Sequence, residues 1–138
     1  MNQISAFIGI AKNSANKGIY SLSVFVGNEI KTFPAKLVYD NNRITSHFII
    51  LSGLLDLLES ATDTNIIFYG NSDIVKQEWD FYSKEKSFPA GTKDILLWEE
   101  IIKVLGCRNL VIKGTESILI KLNKMQDEKM KTALKNKR

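Results

Sequence analysis

Residues 43 to 61, RITSHFIILSGLLDLLESA, carry large apolar side chains at Phe48, Ile50, Leu51, Leu54, Leu55, Leu57 and Leu58. Wound as a helix, these cover more than half of its surface. A helix of that kind has to be buried on most of its sides, and the segments before it indicate against what. Residues 4 to 11, ISAFIGIA, and 19 to 26, IYSLSVFV, are short apolar runs rich in strand formers, joined by the polar turn KNSANKG. After Gly27-Asn28, the run EIKTFPAKLVY (29 to 39) alternates more loosely and contains Pro34, which belongs on an edge strand. Three consecutive strands with short connections predict an antiparallel meander, with the apolar helix packed across it.

The rest of the chain alternates strand and helix signals. Ile66 to Tyr69 form a short apolar run, read as a central strand buried on both faces. Ser72-Asp73 is a capping signal for a helix over DIVKQEWDFYSKEK, which ends at the turn SFPAGT. Residues 93 to 107 then place Ile95, Leu96, Trp98, Ile101, Ile102 and Leu105 at helical spacing, and Gly106 stops that helix. Residues 109 to 112, NLVI, predict a fifth strand, and a last helix is expected from near Ser117. The order βββ-α-β-α-α-β-α predicts an α/β protein. Its mixed five-stranded sheet has three antiparallel strands followed by two parallel ones, with helices on both faces. No internal repeat or low-complexity segment interrupts it.

The chain's 138 residues are the length of one ordinary domain, read here as 1–138, and its 44% hydrophobic and 25% charged residues are those of a globular protein. Its single cysteine, Cys107, excludes an internal disulfide and a cysteine-rich metal site, which fits a reducing cytoplasm. Cys107 itself reads as a small apolar residue buried at a helix end. No stretch reaches the roughly 20 apolar residues that span a bilayer, so no membrane role is expected. The start, MNQISAFIGIAKN, has no basic residue before its apolar run and does not read as a signal peptide. Charge is concentrated: residues 121 to 138 hold seven Lys or Arg and two Asp or Glu, a net of +5, while the preceding 120 residues sum to −1. A basic C-terminal helix or tail, rather than a uniformly basic surface, follows.

Several strings in this order resemble the type 1 ribonuclease H family. Asn41-Asn42-Arg43 stands before the first helix, where the family often has Asn-Asn-Arg. Asn71-Ser72 followed by Ile74-Val75 is similar to the family's Asp-Ser-x-x-Val after the fourth strand. Lys93-Asp94 with Leu97-Trp98 resembles the segment opening its penultimate helix, and Ile112-Lys113-Gly114-Thr115 resembles its Val-Lys-Gly-His. Asn123 and Asp127 keep its Asn-x-x-x-Asp spacing in the last helix. The resemblance implies a ribonuclease H-like fold. It also implies an activity that, in the family, rests on four carboxylates holding two Mg²⁺ ions around a phosphate. Hard cations want anionic oxygens, and two of them activate water and stabilise the leaving oxygen.

The four matching positions are Gly9, Ser46, Asn71 and Asp127, and only the last is acidic. Strand one has no acid at all before Glu29, and the first helix has none until Asp56. The family's mobile His after the fifth strand is matched by Thr115. His47, the only histidine, sits on the first helix and is read as a satisfied structural side chain. Asn71 reads as the uncharged, isosteric remainder of a metal-binding Asp, or as an ordinary turn residue.

No catalytic residue and no cofactor are therefore expected, Mg²⁺ included, and a catalytically inactive ribonuclease H-like domain for binding or assembly is the leading expectation. RNA, DNA or an RNA–DNA hybrid, or a polymerase-like or other protein chain, are the partners the resemblance implies. Asn41, Asn42, Arg43, Lys113, Lys121, Lys124, Lys129 and Lys131 are the candidate nucleic-acid contacts. The alternative is a protein-interaction or homo-oligomeric module, with Trp79, Phe81 and Tyr82 as either an aromatic anchor or core. A third reading, a nuclease rebuilt on Asp40, Asp73, Glu116 and Asp127, needs convergence from distant segments. The short connection Ser83 to Thr92 leaves little room for the basic protrusion that some family members use to grip a hybrid.

Overall fold

Strands β1 (Gln3–Lys12) and β2 (Lys17–Val26) pair antiparallel from Ala6 opposite Val24 to Lys12 opposite Gly18. A two-residue turn, in which Gly27 takes the positive φ of +62° that this geometry requires, leads into β3 (Glu29–Thr32). The chain is seen here in a computed structural model that describes residues 3–13, 16–41, 43–115 and 120–136. The run expected as one third strand is two: Phe33 to Ala35 interrupt it before β4 (Lys36–Tyr39). Pro34, with its fixed φ and no N–H to give, explains the break. Both pieces pair antiparallel with β2, so they share one place at that edge of the sheet.

Thr45 caps α1 (Ser46–Ser60), its hydroxyl accepting from the Phe48 N–H at 3.1 Å. The chain returns in β5 (Asn65–Tyr69), parallel to β1, and continues through α2 (Asp73–Glu85) and α3 (Ile95–Leu105). Strand β6 (Asn109–Lys113) lies parallel to β5, and α4 (Ile120–Asn136) closes the described chain; the expected helix start near Ser117 lies outside the described residues. The path across the sheet is β3-β2-β1-β5-β6, three antiparallel neighbours and then two parallel additions, as the element order predicts.

Helices cover both faces. On one, α1 packs over β1 and β2 with α2 and α3 beside it, enclosing Ile8, Leu51, Leu54, Leu58, Ile66, Phe68, Trp98 and Ile101. On the other, α4 lies over β1 and β2, and Met130 meets Ala11 and Ile19. Because α4 is placed there, β5 is fully buried on one face only: Ile66 and Phe68 are buried, whereas Asn65, Ile67 and Tyr69 are half-buried. Gly9 makes the close approach of α4 possible. A Cβ there would stand 2.4 Å from Gln126 Cβ and 2.6 Å from the Gln126 carbonyl carbon.

Arg108 joins the ends of α1 and α3. Its guanidinium donates to the carbonyls of Leu58 (3.0 Å), Ala61 (2.8 Å), Val104 (2.8 Å) and Leu105 (3.1 Å), where helix C-termini leave acceptors unfilled. Cys107, expected to be buried, is exposed: Gly106 breaks α3 at φ +61°, and the turn that follows carries Cys107 outside the core.

Candidate functional site

The parallel pair β1 and β5 comes apart at its C-terminal end. Register runs from Gln3 opposite Asn65 to Phe7 opposite Tyr69, after which Gly70 and Asn71 turn the chain into α2. Strand β1 continues alone on that side, so its next polar groups need other partners. Helix α4 supplies them. The Asn123 amide, fully buried, donates to the carbonyls of Ile8 (2.8 Å) and Tyr69 (3.1 Å), bridging the two strands where they part. One turn further on, Asp127 accepts from the Ile10 N–H at 2.7 Å and from the Asn71 side chain. The Asn-x-x-x-Asp spacing thus has a structural use: two residues four apart share one helix face and seal one strand end.

Asn71 makes this corner in the left-handed region, at φ +53°, which Asn tolerates better than most side chains. Ser72 then caps α2, accepting from the Val75 N–H at 3.2 Å. Asp73, the first residue of α2, accepts from the Thr115 hydroxyl at 2.6 Å and the Thr115 N–H at 2.9 Å. Those two bonds hold its carboxyl below the usual carboxylate range, the hydroxyl contributing most. They also tie the position matching the family's mobile His to the helix start.

Around this corner lies an open cleft of about 570 Å³. Its walls include Ile10 from β1, Ser46 from α1, Asn71 and Ser72 from the corner, and Lys124, Asp127 and Lys131 from α4. Of the four positions matched to the family's carboxylates, Ser46, Asn71 and Asp127 meet here. Gly9 faces Gln126 instead, and its neighbour Ile10 takes the place on the cleft wall. Asp127 is half-buried, and loss of solvent raises its carboxyl above the ordinary value despite the bond from Ile10.

A pair of Mg²⁺ ions does not fit these residues. The ions need several anionic oxygens, and the cleft offers Ile10, Ser46 and Asn71 beside one carboxylate already bonded to backbone and amide. Glu128, the other acid of the lining, is paired with Lys131 at 3.0 Å. Among the described residues, no three His, Cys, Asp or Glu side chains are grouped to hold a metal ion. Of the acids in the rebuilt-site reading, Asp73 is taken up by Thr115, and Glu116 lies outside the described residues.

The expected nucleic-acid contacts separate by position. Lys124 and Lys131 line the cleft, while Lys121 and Lys129 are exposed on α4 and do not line it. Lys113 is exposed at the end of β6, and Asn41 and Arg43 are exposed ahead of α1; none of these three lines the cleft, and Asn42 lies outside the described residues. Lys12, Lys17 and Lys135 were not among the expected contacts. Together with Lys131 they line a second depression of about 430 Å³ that continues the cleft between α4 and the adjoining ends of β1 and β2. The i, i+7, i+11 spacing of Lys124, Lys131 and Lys135 is the signal that marks them as one stripe of α4.

This frame has counterparts among solved structures. An RNase H1 from the halophilic archaeon Halobacterium salinarum NRC-1 superposes with a TM-score of 0.65 at 15% identity, covering 97% of this chain and 98% of that one. LC11-RNase H1, in complex with an RNA/DNA hybrid, gives a TM-score of 0.58 at 16% identity, with 95% and 99% covered. The foamy viral protease-reverse transcriptase in complex with dsDNA gives 0.54 at 15%, with 92% and 89% covered. The fold is that of ribonuclease H. No protein-family model and no curated protein sequence matches the chain.

On this ribonuclease H-like frame, the histidine and the aromatic residues have internal roles. His47 places Nδ1 2.6 Å from Asp94 Oδ2 and Nε2 2.6 Å from Glu78 Oε1, and Trp98 Nε1 donates to the same Glu78 oxygen at 3.0 Å. Side chains of α1, α2, the residue before α3, and α3 itself are locked together. Trp79 stacks between Tyr82 and Trp98, and its Nε1 donates to the Leu110 carbonyl at 2.9 Å. Trp79 and Tyr82 are therefore core, and Phe81 alone of the three points outward.

Proposed function

We propose that the chain is a single, catalytically inactive ribonuclease H-like domain that binds nucleic acid through the cleft beside α4. Asp127 carries this reading: its carboxylate serves the end of β1 that β5 leaves unpaired and the Asn71 side chain, while lysines from α4 and from the adjoining ends of β1 and β2 stand around it. A phosphodiester entering the cleft meets ammonium, hydroxyl and amide donors, which suit an anion. The fold supports the choice of ligand class, since similar structures are in complex with an RNA/DNA hybrid and with dsDNA. No helix of the described residues is long and apolar enough to cross a membrane. The exposed, unpaired Cys107 suits a reducing compartment such as the cytoplasm.

The second reading, a protein-interaction or homo-oligomeric module, is favoured by the opposite sheet edge. There Val26, Ile30 and Phe33 are all exposed on or beside the short edge strand β3. Binding of labelled RNA–DNA hybrid, duplexes and single strands at two salt concentrations, with Mg²⁺ or Mn²⁺ present and product length followed, separates the readings. Salt-sensitive binding without shortening is the expected result. Metal-dependent cleavage lost in Asp127→Asn would contradict inactivity, and the absence of any binding would turn the search to protein partners.

A further inference from the structure

We infer that the cleft and the depression continuing it form one track that holds phosphodiester oxygens with the protein's own ammonium groups, so that nucleic acid binds without a divalent ion. This rests on the nucleic-acid reading and adds to it the means of neutralising the phosphates and the path of the strand along α4. The two depressions share Ala11, Lys12, Glu128 and Lys131, so the trough is continuous from the Asn71 corner along α4 to Lys135. Five lysines line it, Lys12, Lys17, Lys124, Lys131 and Lys135, against the carboxylates of Asp127 and Glu128. That leaves a net +3 along the trough even with both acids ionised. From Lys124 to Lys135 the helix rises about 16 Å, the axial span of about five phosphates along one strand of a duplex at roughly 3.4 Å each.

The two acids are already occupied. Asp127 faces the Ile10 N–H and the Asn71 amide, and Glu128 faces Lys131. A divalent ion placed between protein and phosphate would find few oxygens and several ammonium groups to repel it. A phosphate finds the reverse. Mg²⁺ in solution then competes for the phosphates and weakens binding.

The test is anisotropy of labelled single-stranded RNA, single-stranded DNA and RNA–DNA hybrid with the whole chain, in EDTA and in millimolar Mg²⁺, each across a salt series. The expected result is binding in EDTA that is at least as tight as in Mg²⁺, whichever of the three probes binds best. Replacing Lys124, Lys131 and Lys135 by Gln should lower the slope of log K against log salt by about one for each lysine withdrawn. These side chains are exposed, so circular dichroism and urea unfolding should confirm an unchanged fold. Binding that appears only with Mg²⁺ would overturn the inference while leaving the nucleic-acid reading intact. An unchanged salt slope in the triple variant would overturn the track. No binding of any probe in either condition would overturn both.

Discussion

Two polar clusters, one among the helices α1, α2 and α3 and one where α4 meets the end of β1, are built in opposite ways. Around His47, each ring nitrogen meets a carboxylate oxygen, Trp98 adds a further donor, and the result fastens three helices together. Around Asn71, one carboxylate is turned inward onto the backbone of β1, and hydroxyls, an amide and lysines are left facing an open cleft. The first cluster spends its charges on the fold; the second leaves positive charge for a ligand. A histidine among acids in a ribonuclease H-like frame invites a catalytic reading, yet here it is the cluster with no vacant nitrogen.

The contrast sets the order of effects expected from mutation. His47→Ala should be the most damaging change, lowering stability by about 3 kcal/mol in urea unfolding, because it leaves Glu78 and Asp94 partly buried without the group between them. A loss below about 1 kcal/mol would mean that the cluster behaves as a surface ion pair. Gly9→Ala should cost about 2 kcal/mol, since its methyl must displace the α4 backbone at Gln126. An unchanged midpoint would show that α4 shifts freely, and the wall of the cleft with it.

Asp127→Asn should be the mildest, staying within about 1 kcal/mol of the parent, because the amide oxygen still accepts from Ile10. Its pH dependence is more informative than its size. Burial lifts the Asp127 carboxyl above its ordinary value, so the folded chain holds that proton more tightly than the unfolded chain. The contribution of this group is therefore full below the ordinary carboxylate pKa and is lost as pH rises through the raised folded value. Asp127→Asn removes that loss, and the variant should gain on the parent as pH rises above the ordinary carboxylate pKa of about 4. A variant that instead loses ground as pH rises would show that the charged carboxylate stabilises the corner.

Much of the frame is legible in local pattern. Ser72 announces α2, Gly106 ends α3, and Pro34 flags the strand that the fold breaks in two. The absence of acids from strand one and from the first turns of α1 is equally plain in the sequence. What escapes local pattern is tertiary. The partners of His47 lie 31 and 47 residues away, and nothing near it specifies them. The use of Asp127 depends on β5 leaving β1 at Gly70, which spacing alone does not reveal. The lysines are an intermediate case. A helical wheel already parts Lys124 and Lys131 from Lys121 and Lys129, but only packing tells which side faces the cleft.

That division of one helix provides the most direct measurement. Lys124→Glu/Lys131→Glu and Lys121→Glu/Lys129→Glu change net charge equally, at positions of α4 that line the cleft and at exposed positions that do not. Hybrid and single-strand affinities of the two double variants, measured side by side at one salt concentration, should differ widely: the cleft-lining pair loses binding and the other pair retains it. Equal losses would mean that the helix attracts nucleic acid only as an undirected basic tail, contradicting the cleft as the binding site.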